Sequence, residues 1–146
     1  MKVKVKIVDK SQNSIKQARA KYSSALASVI FQSANFCRNH AIQNIARGTK
    51  TGRLYTRNGI QHQASAVGEY PATDTGELIA SIAVEIDADK LGASVQATAP
   101  HAEYLEFGTS KMRARPFLQP SAEATRPRMR AFLRKVLGTG KKGGKK

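Results

Sequence analysis

The chain opens on a strict alternation: in Lys2-Val-Lys-Val-Lys-Ile-Val8 the apolar Val3, Val5 and Ile7 fall on one side and the lysines on the other. A period of two predicts a half-buried β-strand, and lysine along its outer side discourages edge-to-edge pairing, so an edge position is expected. From Ser14 the period lengthens to three or four, with Ile15, Ala18, Tyr22, Leu26, Val29, Ser33, Phe36, Ile42 and Ile45 recurring on one side of a helix predicted from Ser14 to Ala46. At 1.5 Å per residue such a helix is about 50 Å long, enough to bend or to overhang a neighbouring subunit. Arg47-Gly48 is expected to close it, the glycine taking the left-handed position past the last turn.

Residues 49 to 73 have no helical period. Asn58-Gly59 between Leu54-Tyr-Thr-Arg57 and Ile60-Gln-His-Gln63 predicts a hairpin, the tip of an arm over 49–73. Lys50, Arg53 and Arg57 have no acidic neighbour in sequence, so the arm is expected to carry positive charge outward to DNA or a protein partner. Ala64 to Pro71 reads as an ordered loop. Asp74-Thr75-Gly76-Glu77 has the spacing of a capping box and predicts a short helix from Leu78 to Ile82. Ile82, Val84 and Ile86 then alternate as a strand. After the turn at Asp87–Gly92, Ala93, Val95, Ala97 and Ala99 alternate as its antiparallel return, the expected centre of the sheet.

Pro100 suits the first position of another short helix and Gly108 the position just past its end, with Tyr104 and Phe107 on one face, expected as packing anchors. The next helix is expected to start between Phe117 and Pro120, since a proline in the first turn sacrifices no hydrogen bond. Pro127 is expected to break or kink it, after which Met129, Phe132, Leu133, Val136 and Leu137 form an apolar stripe opposite Arg128, Arg130, Arg134 and Lys135. The pattern as a whole predicts an α+β fold: a small antiparallel sheet packed by a long N-terminal helix and a C-terminal helix, with a protruding hairpin arm. Residues 1–137 are expected to form a single domain and 138–146 a flexible basic tail.

Composition narrows this picture. A chain of 146 residues supports one domain, and with 6% aromatics and no Trp its core must be built from Ala, Val, Ile and Leu with a few Phe and Tyr. The formal charge of +15 is unevenly placed: residues 1–68 hold twelve basic residues and one acid, residues 69–106 eight acids and one base, and residues 107–146 twelve basic residues and one acid. Blocks of opposite sign suit contact between one subunit's acidic surface and a neighbour's basic one, while the basic excess suits nucleic acid; both readings stand. The single Cys37 excludes an internal disulfide and a multi-Cys metal site, agrees with a reducing cytoplasm, and reads as a small core residue. The N-terminus lacks the apolar run of a signal peptide and no stretch approaches membrane-spanning length, so a soluble protein is expected.

Converging catalytic groups are hard to find. His40, His62 and His101 lie in a helix, an arm and a loop, without metal-ligand spacing. There is no Gly-x-Ser-x-Gly, and Cys37 sits on the apolar side of a helix. Gly138-Thr-Gly-Lys-Lys142 fails as a phosphate loop, with Lys135 at the first-glycine position, Lys142 in place of Ser or Thr, and no preceding strand. Glu77, Glu85, Asp87 and Asp89 read as a solvated or partner-facing polar face before they read as a magnesium cluster. No enzyme activity, metal or cofactor is expected. The tail lysines Lys141, Lys142, Lys145 and Lys146 are candidates for DNA-phosphate contact, and a sequence-independent DNA-binding protein is the alternative reading.

Two blocks carry a family resemblance. The first runs from Gly52-Arg-Leu-Tyr-Thr-Arg57 through His62 to Ile82 and includes Ser65-Ala-Val-Gly-Glu-Tyr-Pro71 and Thr75-Gly76-Glu-Leu78-Ile-Ala-Ser-Ile82; the second is Tyr104-Leu-Glu106-Phe107-Gly108-Thr109 with Arg115-Pro116-Phe117-Leu-Gln-Pro120. They resemble the neck or tail-completion proteins of long-tailed bacteriophages, the minor tail protein Z-like group, over roughly residues 1–137. Val67 departs from the proline common in that loop, and the lysine-rich end lies outside the pattern. The resemblance implies a non-enzymatic virion protein, assembled in the host cytoplasm, that forms a ring at the head-tail junction or upper tail end and works in tail completion and head-tail joining. The ring is expected to be a hexamer between head-closure and tail-terminator or tail-tube proteins, with phage DNA in its lumen and the two blocks as subunit contact.

Overall fold

The computed structural model describes residues 2–7 and 12–138, with the backbone alone for Lys6, Ile7, residues 12–22 and Leu137. The elements in order are β1 (Val3–Ile7), α1 (Gln12–Arg47), β2 (Leu54–Arg57), β3 (Ile60–Gln63), α2 (Glu77–Ser81), β4 (Ile82–Ile86), β5 (Ala93–Ala97), α3 (Ala102–Phe107) and α4 (Leu118–Leu137). This is the α+β architecture expected from the periodicities. Val8, where the first alternation was expected to end, and the tail lysines 141, 142, 145 and 146 lie outside the described residues.

The main sheet is antiparallel with order β1-β5-β4. Val5 pairs with Val95, which pairs on its other side with Val84, and Val3, Ala97 and Ile82 align in the same way. The period of two therefore collects Val3, Val5, Ile82, Val84, Ala93, Val95 and Ala97 on one face, where α1 and α4 cover them. β1 is the lysine-bearing edge strand, and Lys4 reaches diagonally across β5 to Glu85 at 3.1 Å. Both partners are about half exposed, so this pair adds little stability.

Small residues set how closely the layers approach. Ala34, Cys37 and Ala41 of α1 meet Ala93 and Ala97 of β5 within one core cluster, and Phe117, Ile45, Ile82 and Leu118 fill the remaining space. The buried stripe of α1 is Leu26, Val29, Ser33, Ala34, Cys37, Ala41 and Ile45, while Phe31 points away from it at 56% exposure. Its 36 residues make α1 about 54 Å long.

Several local expectations are corrected. Gly48 is not left-handed. Its N–H donates to the Asn44 carbonyl at 3.0 Å, Lys50 Nζ donates to the same oxygen, and a Cβ at position 48 would collide with that oxygen. Close approach, not an inverted backbone, requires the glycine. The capping box does not form: α2 starts at Glu77 behind Gly76 (φ 79°), with no side-chain cap, and Asp74 is drawn away into an ion pair with Arg57. α3 begins at Ala102, two residues after Pro100. α4 runs unbroken through Pro127. A proline there removes the N–H that would meet the Glu123 carbonyl. Packing against α1 holds the helix on both sides of that gap, with Ser121 beside His40 and Thr125 buried before it, and Met129 buried and the Arg128 guanidinium 4.5 Å from the centre of the Phe36 ring after it.

No described helix is long and apolar enough to cross a membrane. Burial raises the Cys37 thiol to about 11, partly offset by a hydrogen bond with Thr125, and the side chain is fully enclosed. At pH 8 the folded protein is expected to resist iodoacetamide and to take up one equivalent only when denatured. Rapid native labelling, read by mass spectrometry, would contradict the enclosed core position.

Candidate subunit-contact site

The second sequence block begins on α3, whose six residues have one inward face, occupied by Ala102, Leu105 and Glu106. Tyr104 and Phe107, three apart on the opposite face, are 56% and 68% exposed. They are therefore not the packing anchors expected from the sequence. A two-turn helix has too few positions to turn them inward as well.

Gly108 ends α3 with φ 75° and ψ −179°, a backbone region open almost to glycine alone. Its N–H donates to the Tyr104 carbonyl at 2.9 Å, and a Cβ would lie 2.8 Å from both Met112 O and Ala114 N. The following loop closes on Thr109: its N–H donates to Met112 O at 2.7 Å, and its hydroxyl accepts from Lys111 N and Met112 N at 3.2 and 3.0 Å. Arg115 N–H then donates to Leu105 O at 2.7 Å and returns the chain alongside α3.

That return places the start of α4 on the Glu106 carboxylate. Glu106 Oε2 accepts from Phe117 N (2.9 Å) and Leu118 N (3.0 Å), and Oε1 from Gln119 N (2.8 Å). The next residue is Pro120, which has no N–H to satisfy. Every free donor at the helix start is thus accounted for, by a carboxylate eleven residues back in sequence from the first of them. Glu106 is 5% exposed, and burying a carboxylate is unfavourable unless it is hydrogen-bonded. Three N–H groups and the positive end of the helix macrodipole supply the compensation. Phe117 and Leu118 are fully buried beside it, with Pro116 and Pro120 half-buried.

The first sequence block is tied to the second at its base. Arg115 Nε donates to Ser65 O at 3.1 Å and Gly68 N to Ala114 O at 3.4 Å. Glu69 accepts from Thr51 N (3.0 Å), Thr51 Oγ1 (2.5 Å) and Ala66 N (2.8 Å), closing the neck of the hairpin. The Thr51 hydroxyl first, then the Ala66 and Thr51 amides and the nearby Lys50 charge, hold the Glu69 carboxyl below its ordinary range. Burial lowers Lys50, with Glu69 opposing that shift.

Beyond the base, Asn58 (φ 51°) and Gly59 (φ 77°) form the two-residue turn expected between β2 and β3. Tyr55 stacks on His62 across the strands at 5.5 Å, and Leu54 and Ile60 are 56% and 62% exposed. Part of the arm's basic charge is engaged within the chain. Lys50 is bonded to the Asn44 carbonyl, Arg57 to Asp74, and Arg53 is exposed. The sequence patterns did not register Asp74 because it lies seventeen residues from Arg57. Elsewhere in this block Leu78 is buried, Gly76 has positive φ, and the exposed Thr75 accepts from Glu77 N at 3.4 Å, a long contact.

One cluster escaped sequence reasoning. His40 Nδ1 lies 3.2 Å from Ser121 Oγ and 3.4 Å from Tyr70 OH, and Tyr70 OH lies 3.3 Å from Ser121 Oγ. Ser121 is fully buried and donates to Phe117 O at 2.6 Å, so it pins α1, the 64–71 loop and α4 together and is closed to a substrate. Its only local signal is His40 lying one helical turn from Phe36 and Asn44; Ser121 is 81 residues away. Among the described residues no three of His, Cys, Asp and Glu converge as metal ligands. The arrangement offers shape and contact surface. No family model, curated protein or solved structure matches the chain.

Glu106→Ala is expected to destabilise the protein by about 3 kcal/mol or more, because three buried or half-buried donors lose a charged acceptor at once. Glu106→Gln, which keeps one acceptor oxygen, should lose less. Urea unfolding checks both, and equal stability of the wild type and Glu106→Ala would remove the carboxylate from the role described. For Glu69, a depressed folded-state pKa means its contribution is complete above the unfolded value of 4.5 and is lost as pH falls through the folded one. Amide protection at Thr51 and Ala66, followed by hydrogen exchange, should therefore persist at pH 4.5 and decline below it.

Proposed function

We propose that this chain is a structural virion protein of a tailed bacteriophage, one subunit of a ring at the head-tail junction or upper tail end that works in tail completion and head-tail joining. The resemblance of Tyr104–Thr109 and Arg115–Pro120 to the neck and tail-completion family brings this reading. What supports it physically is the division of labour within those residues. Glu106, Gly108, Phe117 and Leu118 are internal and hold two helices at a set angle, while Tyr104 and Phe107 are held outward on that frame.

Outward aromatics are costly to leave in water. Of the eight Phe and Tyr whose side chains are described, Phe31, Tyr55, Tyr104 and Phe107 are exposed, in a protein whose core is otherwise short of aromatic volume. Covering one such side chain against a neighbour contributes about 1.5–3 kcal/mol. A closed ring needs two different, complementary surfaces on each subunit. The α3 aromatic pair and the hairpin with exposed Leu54, Tyr55 and Ile60 supply two such surfaces, and acidic and basic blocks of sequence supply charges of both signs. The partners on this reading are further copies of the chain, in a hexamer by the family resemblance, with head-closure protein on one side and tail-terminator or tail-tube proteins on the other. The protein acts by fitting, with no reaction to catalyse.

Tyr104→Ser combined with Phe107→Ser is expected to keep the far-UV circular dichroism and melting temperature, since both side chains are exposed, and to abolish ring formation in sedimentation and negative-stain microscopy. Phage carrying the double variant should accumulate unjoined heads and tails. Normal yields of joined, infectious particles would refute the proposal.

A further inference from the structure

The arginines of the described chain sort into those used internally and those left free. Arg38 donates to the Ile82 carbonyl, Arg57 pairs with Asp74, Arg115 donates to the Ser65 carbonyl, and Arg128 lies over Phe36. Arg47, Arg53, Arg113, Arg126, Arg130 and Arg134 are exposed and paired with no carboxylate among the described residues; the first three lie on separate segments, whereas Arg126, Arg130 and Arg134 share one helix. They stand four apart on α4, so they form a single row about 12 Å long on its solvent side. Glu123, one turn before Arg126, is the only acid on this helix, and it accepts instead from Gln119 Nε2 at 3.4 Å.

Complementing the carboxyl end of the helix explains Arg134 and Lys135, which lie in its last turn, but not Arg126 or Arg130. A docked protein is a poor match for the row. Stable protein interfaces are anchored by buried apolar or aromatic side chains, whereas the exposed residues of this stretch are Arg126, Pro127, Arg128, Arg130, Ala131, Arg134 and Lys135. Phe132 and Leu133 are half-buried and Met129 buried, so the exposed side offers no aromatic for stacking on unpaired bases. A dense, regular row of anions is the chemistry that remains, and duplex DNA presents one phosphate charge per about 1.7 Å of its axis.

We infer that the Arg126–Arg130–Arg134 row of α4 is a binding site for the phosphate backbone of double-stranded DNA, engaged without regard to base sequence. Each guanidinium presents a planar fork of donors to phosphate oxygens and displaces condensed counterions on contact. The site lies on a different element from the α3 aromatic pair, and it stands whether or not the chain forms a ring.

The test is fluorescence anisotropy of the full-length protein with a mixed-sequence duplex of about 20 base pairs, titrated between about 50 and 200 mM salt. Wild type is compared with R126Q/R130Q/R134Q and with K141Q/K142Q/K145Q/K146Q, which isolates the tail. The row variant is expected to bind about tenfold more weakly and to flatten the slope of log K against log salt by about 3, close to 0.9 for each contact removed. R130Q alone should flatten it by about 1 and guards against misfolding of the triple variant. A slope unchanged in the row variant, or a loss confined to the tail variant, overturns the proposal. So does a row variant that keeps its DNA slope but loses self-association, which would assign the row to a neighbouring copy. Because the duplex is the only partner in the assay, a protein that forms no rings can still pass it.

Discussion

The structure depends on a carboxylate that serves a helix other than its own. Glu106 belongs to α3, yet its oxygens receive the backbone N–H groups of Phe117, Leu118 and Gln119 at the start of α4. Helix starts are ordinarily capped by the residue next door, because a local side chain needs no tertiary structure to find its target. Here the cap comes from beyond a glycine turn, so α4 is well terminated only when α3 and the loop after Gly108 are already in place. This couples the two helices: the geometry that satisfies the amides also fixes where Tyr104 and Phe107 point. The absence of a donor at Pro120 makes the arrangement complete, since a fourth N–H would have nowhere to go.

The same logic repeats at lower strength elsewhere. Glu69 gathers donors from Thr51 and Ala66 and so converts a flexible neck into a fixed base for the hairpin. His40, Tyr70 and Ser121 join α1, a loop and α4 through one buried polar cluster. Arg38 and Arg115 spend their guanidinium groups on backbone carbonyls, at Ile82 and Ser65. In a core limited to alanine-sized contacts over much of its area, such directional bonds decide the angles that bulk packing leaves loose. The projecting features, the hairpin and the α3 aromatic pair, are each anchored by one of these knots. That is the property a contact surface needs, since ordering a loose loop on binding would subtract from affinity.

Charge follows a related division. In the arm, basic residues that look free along the sequence are engaged: Arg57 is neutralised by Asp74 and Lys50 is turned to a carbonyl. On α4 the row from Arg126 to Arg134 remains open to solvent. Among the described residues α4 therefore carries a regular row of open positive charge, while in the arm Arg53 is left exposed and Arg57 and Lys50 are engaged.

Periodicity with turn chemistry was sufficient for most of the elements and for the β4–β5 and β2–β3 pairings, while the pairing of β1 with β5 came only with the tertiary structure. Alternation at Val3–Ile7, Ile82–Ile86 and Ala93–Ala97 has one solution once a single face is buried, the three- to four-residue period from Leu26 to Ile45 defines one helical stripe, and Asn58-Gly59 admits essentially one hairpin turn. Gly108 was also legible, because a positive φ at a helix end leaves few other residues possible. What the chain order concealed were choices between competing partners. Asp74 had a local role as a helix cap and a distant one with Arg57, and the distant ion pair prevailed. Tyr104 and Phe107 carried the composition of core anchors, but α3 has only one inward face and Ala102, Leu105 and Glu106 occupy it. Gly48 answered to a carbonyl four residues back and not to its own dihedral preference. Glu106 gave no sign of its function, since the donors it serves begin eleven residues away and become donors only when α4 starts where it does. Local patterns are read from neighbours in sequence; which polar group satisfies which, and which aromatic is left facing water, is settled by neighbours in space.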